Sequence, residues 1–438
     1  MLSNKASSVL PPSSSSEDAD AEDMRLVQLI SAEKGEISLH IFHFFCNGLE
    51  KKEREIRYKY MSSRKFSLAM MGRLLSSSSS TTTTSRRVSS CSTGATCKNL
   101  CYSTSSADIQ SRLEAAYTNA ISARELEQLF NKGYAVIENA GFDPSVGREI
   151  RKEIDAIPNN RFTANSTRFV KDGTQTELVK QNIRELSPPF QETDGTFLNA
   201  LQRDRTLLTL LNVHLPSETP SEMLFNASLK LQINDGENAR FPIHFDSDSS
   251  TDQRRWTFLV YLNDEWEEKE KHGGELVLYL PFQEEKKVVV QPKMGTIVMF
   301  NSRYVAHSTL PFKGKCRVMY TVWLHCKGSL DGSAKRSTNN KKDSSSKSIE
   351  TDAQTQLKKL LLPEQRKHLT KLVLAEEWAQ SIAEAHDPKS ESTARALKTH
   401  WEEVDIIARV LSQSFPFAFD RLAELMKTGK ISEFPLKF

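Results

Sequence analysis

The alternation of apolar and polar residues divides the chain at about residue 108. Before that point the sequence consists largely of serine, threonine and charged residues, with runs such as Ser76–Ser80 and Thr81–Thr84. A segment of this kind cannot bury enough apolar surface to offset the entropy lost on ordering. We therefore expect residues 1–107 to be disordered and ordered structure to begin near Asp108.

Helical and strand signals follow directly. The capping box Ser122-Ala-Arg-Glu125 predicts a helix that ends at Gly133. The apolar run Tyr134–Glu138 predicts a strand, and Asp143-Pro144 supplies the N-cap and first-turn proline of a helix that runs towards Ile157.

From about Leu229 the pattern changes to short β-branched and aromatic runs separated by turn residues. Such runs, with no helical periodicity between them, indicate a β-sandwich or a barrel. They cover Leu229–Ile233, Trp256–Leu262, Glu275–Leu280, Lys287–Gln291, Thr296–Phe300 and Cys316–Leu324. The predicted fold class is therefore a mainly β core with flanking α-helices.

The C-terminal part returns to helical periodicity. Residues 327–355 are rich in serine, lysine and asparagine and are expected to form a flexible linker. Residues 356–438 are expected to form a helical tail with two apolar stripes, which we interpret as packing surfaces. The stripes are Leu372, Ala375, Ala379 and Ile382, and Leu397, Trp401, Val404, Ala408 and Leu411. Residues 108–326 are left as one domain, with leading helices and a β core at about 229–324.

Charge and composition exclude several function classes. The net charge is +3 from 59 basic and 56 acidic residues, which gives no basic surface for phosphate contacts, so no nucleic-acid partner is expected. The six cysteines form no Cys-X-X-Cys pair, and free thiols in a reducing compartment are expected. The apolar stretch Ile37–Cys46 is shorter than the roughly 20 residues that span a bilayer, so no membrane anchor is expected.

One segment bears on localisation. Ile56–Ala107 contains no acidic residue but several arginines, a composition typical of an organelle transit peptide. Low-complexity disorder is the alternative, since about 55 residues precede it and transit peptides normally begin a protein; Met61 and Met70 are candidate start sites. We expect an intracellular protein, in the mitochondrion or plastid if residues 61–107 are a transit segment and in the cytoplasm otherwise.

The candidate chemistry centres on two histidines and an aspartate. In His244-Phe-Asp246 the two polar side chains leave the same face of an extended chain, and His307, between two predicted strands, could join them in an antiparallel barrel. His-X-Asp alone is a weak motif, and any of the three could be an ordinary surface residue. Together they match the facial triad of a non-haem Fe(II) site, which leaves coordination positions open.

Arg317 lies ten residues after His307, in Arg-Val-Met-Tyr-Thr-Val-Trp. Alternation places Arg317, Met319, Thr321 and Trp323 on one face of a strand, so the guanidinium would face the barrel interior. The distal carboxylate of 2-oxoglutarate fits such a fork through a charge-assisted pair. A structural ion pair with a neighbouring acid is the alternative.

Residues from about Leu229 to Leu324 resemble the catalytic domain of prolyl 4-hydroxylase-like 2-oxoglutarate/Fe(II) oxygenases. The resemblance covers about a quarter of the chain and rests on several motifs in the family's order. These are Pro242-Ile-His244-Phe-Asp246, Val260-Tyr-Leu-Asn263, Gly273-Gly-Glu-Leu276, Pro292 with Gly295, Val298-Met-Phe300, His307 and Arg317 to Trp323.

The resemblance implies a double-stranded β-helix, or jelly-roll, barrel with helices packed against one sheet. It implies that His244, Asp246 and His307 are the catalytic iron ligands and that Arg317 binds 2-oxoglutarate. Tyr261 and Thr321 match positions beside the distal carboxylate in hypoxia-sensor prolyl hydroxylases, although Tyr261 could equally be a packing aromatic. The sequence departs from those sensors at Asn234, where they carry a tyrosine, and Arg317 is one residue further from the distal histidine.

The activity implied is the hydroxylation of a substrate C–H bond coupled to decarboxylation of 2-oxoglutarate to succinate and CO₂. Fe(II), 2-oxoglutarate and O₂ are the implied cofactor and cosubstrates, with ascorbate as the reductant. The substrate is a prolyl or similar residue of a protein, or alternatively a free small molecule, gripped by Ser247–Arg255 and Glu265–His272. Two rival interpretations are a catalytically inactive binding barrel and a zinc hydrolase, for which no spacing nominates a general base.

Overall fold

A computed structural model describes residues 105–433 apart from 139–140, 172–173, 216–222, 248–251, 265, 267–271, 315, 328–348, 388 and 429. Within these ranges, the helices before Leu224 are α1 (Ser106–Thr118), α2 (Ala123–Lys132), α3 (Pro144–Ala156), α4 (Thr196–Leu201) and α5 (Thr206–His214). Single 3₁₀ turns occupy Asn159–Arg161 and Glu192–Asp194.

The helix boundaries follow the local sequence. Ser122 and Glu125 form the predicted capping box, and Gly133 ends α2 with a φ of 79°, which favours glycine because it carries no Cβ. The side chain of Asp143 caps α3 by accepting the Ser145 N–H. The start of both helices and the strand after α2 were therefore predicted to within one residue.

The strands form two antiparallel sheets. Their bounds are β1 (Tyr134–Ile137), β2 (Thr163–Lys171), β3 (Thr174–Leu186), β4 (Leu224–Asn234), β5 (Ala239–His244), β6 (Arg254–Tyr261), β7 (Leu276–Tyr279), β8 (Lys287–Val290), β9 (Ile297–Asn301), β10 (Ala306–Phe312) and β11 (Arg317–Cys326). Within the described part of the chain the main sheet has the order β1-β9-β6-β11-β4-β3-β2, and the minor sheet has the order β5-β10-β7-β8.

The main sheet is covered on both faces. Helices α1 to α5 contribute Leu113, Ile150 and Leu198 to a core with the outward side chains of the sheet, such as Phe258. A second core lies between the two sheets, and its members include Leu259, Tyr261, Leu278, Phe300 and Met319. This double burial explains why β6 and β9 are almost continuously apolar.

The C-terminal helices are α6 (Ile349–Leu360), α7 (Pro363–Val373), α8 (Ala375–Ala385), α9 (Glu391–Ser414) and α10 (Ala418–Thr428), followed by a 3₁₀ turn at Lys430–Glu433. Leu374 and Trp378 of this group pack on the outer face of the minor sheet against Ile243, Val277 and Tyr279. No helix in the described ranges is both long and apolar enough to cross a membrane.

The predicted mainly β fold with flanking helices is confirmed, and four strands were missed: β2, β3, β5 and β10. The apolar stripe predicted from Leu372 to Ile382 is interrupted, because α7 ends and α8 begins at Leu374. Helix α6 starts at Ile349, inside the segment expected to be linker. The predictions of disorder for residues 1–107 and of a transit segment lie outside the described residues as far as residue 104, as does most of the predicted linker. At 105–107 the disorder prediction is wrong, because Ser105 caps α1 and the helix begins at Ser106.

Candidate metal and cosubstrate site

The sheet register brings His244 and His307 together. Strand β5 ends at His244, β10 runs antiparallel to it, and His307 is the register partner of His244. The two imidazole centroids lie 4.2 Å apart. Asp246 follows β5 by two residues, and its Oδ1 lies 3.5 Å from His244 Nε2 and 3.6 Å from His307 Nε2. These three residues are the one such group that could hold a metal ion among the described residues.

Hydrogen bonds fix the tautomer of both histidines. The Nδ1 of His244 lies 2.8 Å from the Pro242 carbonyl oxygen, and that of His307 lies 3.3 Å from the Val305 carbonyl oxygen. A carbonyl can only accept, so Nδ1 carries the proton in each ring and the Nε2 lone pairs converge. Burial, with the nearby His244, lowers the pKa of His307 to about 4, so this ring is neutral near pH 7.

The carboxylate of Asp246 is held from behind. Its Oδ2 accepts hydrogen bonds from the Thr257 hydroxyl at 2.7 Å and from the Trp323 indole N–H at 3.0 Å, which leaves Oδ1 facing the imidazoles. Burial acts to raise the pKa of Asp246, but His307, His244 and Thr257 outweigh it and hold that pKa far below its usual range. The side chain is therefore an anionic ligand in place.

Further groups steady these two donors. Ser302 Oγ lies 2.8 Å from Thr257 Oγ1 and donates to it, since the single Thr257 proton is used on Asp246. The Trp323 ring lies under two cations, with Lys230 Nζ 5.4 Å and the Arg254 guanidinium 4.8 Å from its centroid.

Arg317 is fully buried and has no carboxylate partner among the described residues. Its Nη2 donates to the Tyr261 hydroxyl at 3.3 Å, and its Nη1 lies 3.3 Å from Met319 Sδ. Its Nε has no hydrogen-bond partner. Burial lowers the pKa of Arg317, against the opposing effect of Tyr261 and of the nearby Glu275. A guanidinium in this position is costly unless an anion joins it.

Asn234 faces the same end of the barrel. It is the register partner of Arg317 on β4, and it is fully buried. Its Oδ1 accepts a hydrogen bond from Gln232 Nε2 at 2.8 Å, while its Nδ2 has no partner. The amide of Asn234 therefore offers a free donor beside the guanidinium.

These donors fit an iron ion and an acidic cosubstrate. Two neutral imidazoles and one carboxylate suit a divalent iron and leave positions open, and the unpaired atoms of Arg317 and Asn234 suit a carboxylate. Thr321 is buried on β11, on the same inner face as Arg317 and Trp323 and between those two residues along the strand. The structure thus brings His244, Asp246 and His307 into one group, and it places Tyr261 on β6 against Arg317 of the neighbouring strand β11, which also carries Thr321.

Sequence reasoning missed Thr257, Ser302 and the β2–β3 hairpin. Asp172-Gly173, between two runs of alternating polarity, was an available hairpin signal. The hairpin contributes Lys180, whose Nζ donates to Asn165 Oδ1 at 2.6 Å and to Thr167 Oγ1 at 2.8 Å. Burial lowers the pKa of Lys180 to about 8.

The Phe241 ring lies between Lys180 and the candidate metal ligand His244. Its Nζ lies 4.8 Å from the centroid of Phe241, and the Phe241 ring stacks on His244 at 5.8 Å. The substrate loops expected at Ser247–Arg255 and Glu265–His272 fall largely outside the described residues.

Comparisons with known proteins agree with this geometry. A family model described as the 2OG-Fe(II) oxygenase superfamily matches residues 229–325. The crystal structure of a prolyl 4-hydroxylase from Phytophthora capsici is similar, with a TM-score of 0.52, 26% identity, and coverage of 73% of this chain and 95% of that one. No curated protein sequence gives a significant match.

Two other solved structures have TM-scores too low to carry an argument. A prolyl hydroxylase from Trichoplax adhaerens is 18% identical over 50% of this chain and 91% of its own, with a TM-score of 0.39. A prolyl-4-hydroxylase from Pseudomonas putida is 20% identical over 47% and 99%, with a TM-score of 0.36. The family match, the two-sheet fold and the Phytophthora structure together support a 2-oxoglutarate-dependent dioxygenase, with residues 229–325 matching the 2OG-Fe(II) oxygenase superfamily.

Proposed function

We propose that this protein is a hydroxylase in which His244, Asp246 and His307 hold Fe(II) and Arg317 holds the distal carboxylate of 2-oxoglutarate. The net reaction consumes 2-oxoglutarate, O₂ and a substrate C–H bond and gives succinate, CO₂ and the hydroxylated product. Bound iron supplies the oxidative chemistry, and ascorbate keeps it reduced.

The observation that carries the proposal is the buried guanidinium of Arg317, which pairs with no carboxylate among the described residues and whose Nε has no hydrogen-bond partner. An inactive barrel or a zinc hydrolase would have no use for a cation there, and burying it without an anion costs free energy. A dicarboxylic cosubstrate explains its retention, because a carboxylate can take a charge-assisted bond from the free Nε.

The metal ligands act through fixed geometry. Both Nε2 lone pairs converge on the space beside Asp246 Oδ1, because backbone carbonyls hold each ring and Thr257 with Trp323 holds the other carboxylate oxygen. A preorganised set of this kind binds the metal without reorganising.

The inner face of β11 would hold the cosubstrate. Arg317 and Tyr261 bind its distal carboxylate, with Thr321 beside it, and Asn234 adds a donor at the same end. The apolar side chains between the sheets, such as Leu259 and Phe300, exclude water from it and so strengthen these charge-assisted contacts.

The substrate is a prolyl residue in a protein or peptide. The support for this is the Phytophthora capsici structure, a prolyl 4-hydroxylase that aligns over most of this chain. A free small molecule is the alternative substrate class from the sequence.

The test is turnover by the full chain with Fe(II), 2-oxoglutarate, ascorbate and a panel of proline-containing peptides. We expect succinate formation and a peptide mass gain of one oxygen atom. Asp246→Ala should abolish both, while Asp264→Ala, which removes an exposed carboxylate paired with Arg148, should not. Peptide-independent succinate formation only, with no modified peptide, would contradict the prolyl assignment but not the oxygenase chemistry.

A further inference from the structure

The side chains on either side of His244 point away from the metal. Alternation along an extended chain places Ile243 and Phe245 on the face opposite to His244 and Asp246. Ile243 is fully buried there, in a cluster with Leu374 and Trp378 from the C-terminal helices. The orientation of His244 and Asp246 therefore depends on how Ile243 and Phe245 pack against the C-terminal helices.

Phe245 is held by two of these helices. Its ring lies 5.5 Å from that of Trp378 on α8, and Lys367 Nζ of α7 lies 5.2 Å from its centroid. The same Lys367 ammonium donates to the Ser247 carbonyl oxygen at 3.0 Å. Both residues that flank Asp246 in sequence thus contact the tail.

The backbone of β5 is held as well. Strand β5 is at the edge of the minor sheet, and its pairing with β10 shifts register twice. The Ile243 N–H donates instead to Ser381 Oγ on α8 at 2.9 Å, and Arg240 forms an ion pair with Glu384. An edge strand without such partners is free to shift its register or its pleat.

We propose that α7 and α8 form a brace that positions His244 and Asp246 for metal binding. Lys367, Trp378 and Ser381 are positioning residues, and the brace lies outside residues 229–325, which match the family. The inference rests on the proposed function, because it takes His244 and Asp246 as metal ligands. Ordinary packing of a C-terminal domain is the competing explanation, and it predicts effects on stability alone.

Two serines in the tail provide a matched pair for the test. Ser381 Oγ donates to the Trp378 carbonyl oxygen at 2.7 Å and accepts the Ile243 N–H. Ser412 Oγ makes the same donation, to the Arg409 carbonyl oxygen at 3.0 Å, and it lies half-buried on α9, away from β5. Ser381→Ala and Ser412→Ala thus remove equivalent helix contacts, and only Ser381→Ala removes a contact to β5.

The measurement is Mn(II) binding to the full chain in the presence of 2-oxoglutarate, followed by the electron paramagnetic resonance signal of free Mn(II). We expect Ser381→Ala to raise the Kd about threefold to tenfold. This is less than the roughly 10–100-fold typical for a direct partner of a metal ligand, because Ser381 bonds the backbone beside His244 and not the ligand itself. Ser412→Ala should leave the Kd unchanged. Amide exchange of residues 243–247 in the metal-free protein should accelerate in Ser381→Ala only.

Phe245 gives a second test that is independent of the serine. Phe245→Ala should weaken Mn(II) binding, and Phe245→Leu, which refills the contact with Trp378, should restore it. Wild-type affinity in both Ser381→Ala and Phe245→Ala would overturn the brace. Failure of the wild-type protein to bind Mn(II) would instead overturn the proposed metal site.

Discussion

Arg317 and Asn234 face each other across the β4–β11 ladder, and each presents a buried nitrogen with no hydrogen-bond partner. Gln232 occupies the Asn234 carbonyl oxygen, so the amide cannot turn its NH₂ away without breaking that bond. The pair therefore offers two donors to one anion. The neutral amide of Asn234 is the weaker donor, and the hydrogen bond from Gln232, two residues away on β4, fixes its orientation.

The first prediction concerns this amide. Asn234→Ala should raise the Kd for 2-oxoglutarate about tenfold, since a hydrogen bond to a charged group contributes about 1.5–3 kcal/mol and water can partly replace it. Asn226→Ala, at an exposed position on the same strand, is the control. Equal affinities in the two variants would remove Asn234 from the cosubstrate site.

The second prediction concerns the indole behind Asp246. Trp323→Phe removes the N–H bonded to Oδ2 while the Thr257 bond remains. We therefore expect the Kd for Mn(II) to rise about tenfold, the lower end of the range of roughly 10–100-fold seen when contacts behind metal ligands are lost. Trp256→Phe is a matched control, because its buried indole N–H has no partner. It should affect the free energy of unfolding and leave metal affinity unchanged. Unchanged metal affinity with a reduced free energy of unfolding in Trp323→Phe would show that Trp323 acts through packing alone.

The third prediction concerns the pH dependence of stability at Lys180. Burial lowers its pKa in the folded protein from 10.5 to about 8, so the unfolded chain binds this proton more tightly than the native state does. The protein should therefore be more stable when the Lys180 amine is neutral. This gain in the free energy of unfolding should be fully present above pH 10.5 and should be lost as the pH falls to 8. Its size is about 3 kcal/mol, since one pKa unit corresponds to about 1.4 kcal/mol.

Lys180→Met removes this contribution and tests it by difference. Denaturant unfolding of both proteins across this pH range should show the variant losing its advantage over the wild type as the pH rises. A difference that does not change with pH would mean that the Lys180 amine keeps its ordinary affinity for protons.

Local signals in the sequence predicted some parts of the fold well. Ser122, Glu125 and Gly133 fixed a helix because capping depends on neighbouring residues alone. The inward position of Arg317 followed from alternation along a strand. The strands β5 and β10 were missed because Pro242 and Pro311 interrupt their apolar patterns, which local propensity takes as evidence against a strand.

Contacts between distant segments could not be predicted in the same way. Thr257, on the main sheet, donates a hydrogen bond to Asp246, which follows a strand of the minor sheet. Ser381 accepts a hydrogen bond from Ile243, which is 138 positions away in the chain. Such pairings depend on how complete elements pack, and a single sequence carries no local record of them. The site residues came from motif spacing, and the groups that hold them came from the tertiary structure.

The most direct test of 2-oxoglutarate binding by Arg317 is the metal-to-ligand absorption band of the anaerobic Fe(II)–2-oxoglutarate complex, titrated in the wild-type protein and in Arg317→Glu. Charge reversal sets a carboxylate against the carboxylate to be bound, so the band should be lost at wild-type cosubstrate concentrations while Fe(II) affinity and circular dichroism stay unchanged. Arg317→Lys keeps the positive charge but lacks the planar guanidinium fork, so it should weaken the binding of 2-oxoglutarate by roughly 1–3 kcal/mol. A normal band with normal affinity in Arg317→Glu would contradict the account.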